Sequence, residues 1–290
     1  MCLDYEKQEG SDKPSVSRRT FGALSLAAGA AAATVATGAS AAALDVMEMD
    51  VTIKTADGNA EAVLVHPKSG THPAVIIWVD ALGLRPAFRD MAKRLAGEGY
   101  VVLAHNPYYR VAKVPVLPAD FSFSKPEDRA KIGPLMAGLT QDVVERDATA
   151  LVEFLGKQSM VKKGAKIGTQ GYCMGGRLTM ITAAKFPDRI GAAGSFHGGG
   201  LATDKPDSPH LMAPKIKAKY LFAVAKNDDA ADPAAKDTVK KAFADAKNPA
   251  EVEVYAADHG WCVPDMPAYN KEEAERAWTR LLALYKSALV

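Results

Sequence analysis

From about residue 50 onward, short apolar runs alternate with stretches whose apolar positions recur every three or four residues. Ala74-Val75-Ile76-Ile77-Trp78-Val79 is apolar at every position, as a strand covered on both faces requires. Pro86–Gly97 sets Phe88, Met91, Ala92 and Leu95 on one helical face. Residues 100–104, 166–170, 190–196, 220–225 and 252–255 read as further strands. Residues 139–156, 177–185, 233–246 and 271–288 read as helices. Residues 51–54 and 62–65 flank Asp57-Gly58, a hairpin signal. Between His105 and Gly138 the chain is rich in Pro, Tyr and charge without a sustained period. Such a stretch reads as a long connection of the kind that forms lids and binding loops. Strands alternating with helices predict an α/β fold, a mostly parallel sheet with helices on both faces, in a single domain over residues 44–290.

Residues 1–43 differ in kind. Ser17-Arg18-Arg19-Thr20-Phe21 precedes a stretch dominated by Ala, Gly, Ser and Thr, and Ala39-Ser40-Ala41 and Ala41-Ala42-Ala43 offer small-residue cleavage sites. A basic segment, an apolar segment and small residues at its end make a secretory signal, here of the twin-arginine type. The stretch is too weakly apolar for a permanent span. The expectation is a precursor handled by the twin-arginine export machinery, and a mature chain that is periplasmic or secreted with no stable membrane anchor.

The net charge of the whole chain is +2. Within the leader, Lys7, Lys13, Arg18 and Arg19 balance Asp4, Glu6, Glu9 and Asp12. A near-neutral mature chain gives no electrostatic reason to expect nucleic acid or an anionic surface as partner. The chain has 3 cysteines, too few for a disulfide framework. Cys2 lies in the leader, so Cys173 and Cys262 either pair or leave at least one working thiol. No Cys/His spacing suits zinc, and no metal is expected.

Gly171-Tyr172-Cys173-Met174-Gly175-Gly176 lies between a predicted strand and a predicted helix. Gly-x-Cys-x-Gly has the spacing of a nucleophile elbow, with sulfur replacing the usual hydroxyl. The glycines answer a steric need, because side chains two before and two after the nucleophile would collide in so sharp a turn. A cysteine at a helix N-terminus has its thiolate favoured by the helix dipole. The Met174 N–H then points to where an acyl oxyanion would form. In this fold the triad runs nucleophile, acid, base along the chain. His259, in Asp258-His259-Gly260, is the C-terminal histidine that follows a strand. Asn227-Asp228-Asp229 closes the preceding strand. Asp228 is the expected acid, with Asp229 as competitor, and it would orient the imidazole.

With these residues assembled, the chain from about Val51 to Leu284 resembles the dienelactone hydrolase family. The resemblance rests on the Gly171–Gly176 segment, Asp228, His259-Gly260 and Val79-Asp80-Ala81-Leu82-Gly83-Leu84. It implies that Asp80 contacts the resting thiol and that the Ala81 N–H is the other oxyanion-hole donor. It also implies a substrate-binding arginine in the middle segment, at Arg129. A second arginine, expected just past the histidine, is replaced here by Trp261-Cys262-Val263. His197, at a strand end, and Trp261 are further substrate-side candidates. The function implied is cleavage of a small carboxylic ester or lactone through a thioester, by a monomer that needs no cofactor. Two other readings stay open: a redox protein in which Cys173 and Cys262 pair, and a non-catalytic binding protein on the same fold.

Overall fold

The structure, a computed structural model, describes residues 43–118 and 120–289. The expected leader lies outside the described residues, except for Ala43. Eight strands form one sheet in the order β1-β2-β4-β3-β5-β6-β7-β8. They are β1 (Val46–Thr55), β2 (Gly58–Pro67), β3 (Ala74–Trp78), β4 (Val101–His105), β5 (Ile167–Tyr172), β6 (Ile190–Phe196), β7 (Lys219–Ala225) and β8 (Glu251–Tyr255). β1 pairs with β2, and β2 with β4, in antiparallel fashion; the pairings from β4 through β8 are parallel. The expected hairpin is real and much longer than its apolar signal, because β1 is an edge strand whose outer positions alternate with solvent.

The fully apolar β3 run has a direct cause. Ile76 and Trp78 face one core layer, with Val144 and Leu151 of α3 (Gln141–Lys157), Leu178 and Ile181 of α4 (Met174–Lys185) and Phe243 of α6 (Pro233–Asp245). Val75 and Ile77 face the other layer, with Phe88 and Leu95 of α1 (Pro86–Gly97) and Leu281 and Tyr285 of α7 (Lys271–Ala288). Both faces of the sheet are therefore covered, which removes the need for a polar side.

Three elements escape the periodicity. The stretch read as a plain connection contains α2 (Pro126–Ala137), which buries only Asp128 and Ile132 and so has no apolar stripe to betray it. Pro126 starts it at the first helical position, where no N–H is needed. A 3-10 turn (Pro209–Lys215) and the short α5 (Lys226–Ala231) are the others.

In a parallel sheet the loops at the carboxyl ends of the strands gather on one rim. Here that rim holds Asp80 after β3, Cys173 after β5, His197 after β6, Asp228 after β7 and His259 after β8. Its neighbour, the loop after β4, is tied down by a buried network. Asp147 of α3 is 1% exposed and accepts from Arg110 at 2.9 and 2.6 Å and from the Tyr109 hydroxyl at 2.8 Å. Arg110 also reaches Asp57 in the β1–β2 turn, at 2.7 Å.

Removing the guanidinium would strand the Asp147 carboxylate in the core. Arg110→Ala is expected to cost about 3 kcal/mol, the usual order for breaking a buried ion pair from one side. Urea unfolding checks it, and a loss under about 1 kcal/mol, the range of exposed pairs, would contradict it.

Candidate active site

β5 ends at Tyr172 and α4 begins at Met174, so a single residue, Cys173, makes the corner. Its backbone sits at φ 54, ψ −119, a conformation that L side chains seldom occupy and that concentrates at functional positions. Close packing forces the flanking glycines. A Cβ on Gly171 would run into the Gly175 carbonyl, and one on Gly175 into the carbonyls of Trp78 and Val79. Met174 opens α4, so its N–H has no partner one turn back in the helix.

His259 follows β8, and its Nδ1–H donates to Asp228 Oδ2 at 2.7 Å. Asn227 Oδ1 accepts the His259 backbone N–H at 2.8 Å, fixing the loop as well as the ring. Burial works against a charge on this imidazole, yet hydrogen bonding to Asp228 and to Cys173 outweighs it and pushes its pKa up to about 10. The structure thus brings Cys173, His259 and Asp228 together. Asp229 is turned elsewhere, paired with Lys236 of α6 at 2.6 Å.

The loop after β3 presents Ala81, whose N–H is taken up by no hydrogen bond among the described residues. The Ala81 carbonyl accepts from the Tyr108 hydroxyl at 3.2 Å, and the same hydroxyl lies 3.1 Å from Met174 Sδ. One phenol therefore ties together the two residues expected to offer oxyanion donors. Asp80 has a different partner from the one the resemblance implies. Its carboxylate accepts from Arg85 at 2.6 and 2.9 Å and from the Leu82 N–H at 2.9 Å. Arg85 also grips Asp265 at 2.7 and 2.8 Å, which joins the Ala81 loop to the segment beyond His259. The guanidinium has claimed both Asp80 oxygens, and no hydrogen bond runs from them to the thiol.

The substrate-side candidates fare differently. Trp261 is fully buried and stacks on Tyr255 at 4.7 Å, because its ring faces the α7 side of the sheet. Arg129 stands exposed on α2 and joins none of the triad residues. His197 is 1% exposed and lies behind the elbow instead of in an open cleft. Cys173 and Cys262 are both free thiols, and they pack on opposite faces of the sheet. Burial pushes the Cys262 thiol up, which keeps it protonated. A cavity of about 250 Å³ adjoins Asp228, walled by Leu201, Phe222, Val224, Val239 and Val252. Arg85 and Asn227 were not singled out from sequence; only their closeness to Asp80 and Asp228 along the chain could have flagged them.

Comparison with known proteins bears on the whole domain. The sequence model of the Dienelactone hydrolase family matches residues 60–289. The Escherichia coli K12 protein named "Putative carboxymethylenebutenolidase" is 28% identical over 236 residues, covering 79% of this chain and 82% of that one. A protein of the same name from Methylorubrum extorquens AM1 is 28% identical, covering 97% of this chain and 96% of its own. Among solved structures, "Putative Dienelactone Hydrolase" from Klebsiella pneumoniae superposes with a TM-score of 0.72 at 24% identity, covering 83% of this chain and 99% of that one. Dienelactone hydrolase from Anabaena variabilis superposes with a TM-score of 0.59 at 18% identity, covering 84% and 99%. At such identities the superpositions speak for the fold.

The imidazole gives a direct check on the site. Its folded pKa near 10 exceeds the ordinary 6.5, so the charged ring adds stability that is fully present below pH 6.5 and is lost as pH rises through 10. In an NMR titration, Cys173→Ala should lower the His259 pKa by about one unit or more, since one of the two supporting groups is gone. An unchanged value would mean that sulfur and ring do not interact.

Proposed function

The chain belongs to the dienelactone hydrolase family and is a hydrolase, and we propose that it cleaves small carboxylic esters or lactones with Cys173, His259 and Asp228 as its triad. The observation that carries this reading is a cysteine at a strained strand-to-helix corner beside a histidine that is itself oriented by a carboxylate.

The chemistry follows from the charges. An imidazolium favoured up to about pH 10 is a counter-ion for a Cys173 thiolate, and thiolate is the nucleophilic form. Sulfur attacks the ester carbonyl, and the oxyanion is received by the N–H groups of Ala81 and Met174. His259 gives its proton to the departing alkoxide, or to the ring oxygen of a lactone. The neutral ring then takes a proton from water, which adds to the thioester, and collapse returns the thiolate beside the imidazolium and releases the carboxylic acid, which loses its proton to solvent. Asp228 keeps Nδ1 engaged throughout, so the other ring nitrogen does the transfers. Asp80, gripped by Arg85, holds the turn that aims the Ala81 N–H. The apolar cavity beside Asp228 offers room for an uncharged substituent of the substrate. No step calls for a cofactor.

We also infer that the precursor uses the twin-arginine route, on the strength of Arg18-Arg19-Thr20-Phe21 and the small-residue stretch behind it. Among the described residues no helix is long and apolar enough to cross a membrane.

Purified protein is expected to turn over small aryl esters or lactones, and both Cys173→Ser and His259→Ala should lose about 10³-fold or more in kcat. Full activity in either variant would remove the triad as proposed. For export, exchanging Arg18 and Arg19 for lysine should leave uncleaved precursor in the cytoplasmic fraction, and unimpaired secretion would exclude the twin-arginine route.

A further inference from the structure

His197 follows the last residue of β6 and, unlike almost all its neighbours, takes a left-handed backbone, φ 41. Such a conformation is costly for a residue with a Cβ, although Asn, Asp and His accept it more readily than most. Its own N–H donates to the Ala223 carbonyl at 2.8 Å, so the sheet holds it there. The turn swings the imidazole inward beneath the elbow. Nδ1 then accepts the Cys173 backbone N–H at 3.1 Å, a donor that is shared with the Phe196 carbonyl at 3.1 Å. The ring meets that of His259 edge-on, with centroids 4.9 Å apart, and lies 6.0 Å from Tyr172 and 6.2 Å from Trp261.

We propose that His197 is a positioning residue of the active site: it fixes the Tyr172–Cys173 peptide by accepting its N–H, and with the same ring it braces the flank of His259. This rests on the reading of Cys173 as the nucleophile. That N–H belongs to the peptide between Tyr172 and Cys173, the one that leads into the corner, so its orientation sets where the Cys173 side chain projects and, through the fixed φ and ψ of Cys173, where the Met174 N–H aims. One acceptor thus orients the attacking atom and an oxyanion donor together. An acceptor at Nδ1 places the proton on Nε2, an atom that is buried and has no partner among the described residues. Burial, and then the charge on His259, holds His197 well below the usual histidine range, which keeps the acceptor available. A ring held toward its neutral form also suits a neighbour that carries charge, since two imidazolium rings in contact would repel.

The test separates the acceptor from the backbone turn. Asn and Gly both tolerate the left-handed conformation, but only Asn carries an acceptor near the Nδ1 position. In the purified full chain, His197→Asn should keep kcat within about threefold, while His197→Gly should lower kcat by about tenfold or more at little changed KM. The rate of Cys173 alkylation by iodoacetamide, read by mass spectrometry of its peptide, should fall in the same order. That readout needs no ester turnover, so it stands even if the hydrolase is inactive on every ester tried. In the unsubstituted protein, 15N shifts should show His197 unprotonated at Nδ1 and protonated at Nε2 at neutral pH. Equal activity and alkylation in the Asn and Gly variants would overturn the proposal by leaving only the turn. A raised KM at constant kcat in both would overturn it in favour of a substrate contact. An Nδ1–H tautomer would overturn it without recourse to any variant.

Discussion

The site is organised around one left-handed corner at Cys173. A strand buried on both sides must hand over to a helix within a single residue, and the handover works only because Gly171 and Gly175 have no side chains to collide. Strained backbone of this kind persists when its surroundings over-determine it. Here the parallel pairings of β5 with β3 and β6 lock the incoming strand. The apolar side chains of α4, Leu178 and Ile181 among them, lock the outgoing helix. The sulfur is thereby held at the rim with little freedom, and the remaining groups need only be brought to it.

They arrive by the ordinary logic of a parallel sheet. Each strand delivers one residue at its carboxyl end, and neighbouring strands deliver neighbours in space. That arrangement leaves the loops free to wander, and cross-links suppress the freedom. Arg85 ties the Asp80–Ala81 turn to Asp265, Asn227 ties down the His259 backbone, and Tyr108 spans Ala81 and Met174. Such fixed donors are what electrostatic stabilisation of a transition state requires, since dipoles already aimed need not reorganise.

The fold was legible in the sequence because both faces of the sheet are covered, so β3 and residues 101–104 of β4 show as unbroken apolar runs, and α1 and α7 show their buried stripes. What stayed hidden was helix without a stripe: α2 buries only Ile132 and Asp128 and leans on the core through the half-buried Leu135 and Met136, and no periodic signal survives. Residues that gather in the triad could be read from local chemistry, since a Gly-x-Cys-x-Gly corner and a histidine after the last strand carry their own context. Partnerships across the chain could not. The contest for the Asp80 carboxylate is settled by Arg85, five positions away on the next turn, and nothing in the pattern says that this arginine folds back. Trp261 and His197 illustrate the same limit, because an aromatic ring beside His259 can face cleft or core, and burial alone separates them.

The placement of Cys173 and Cys262 has a bearing on how this protein ages. They sit on opposite sides of an eight-stranded sheet, so among the described residues an oxidised Cys173 has no second thiol with which to condense. A sulfenic acid formed there must be relieved by a small thiol or by another protein, or else proceed to irreversible acids. The working life of each molecule is then set by the reducing power of its surroundings and not by any reserve within the fold.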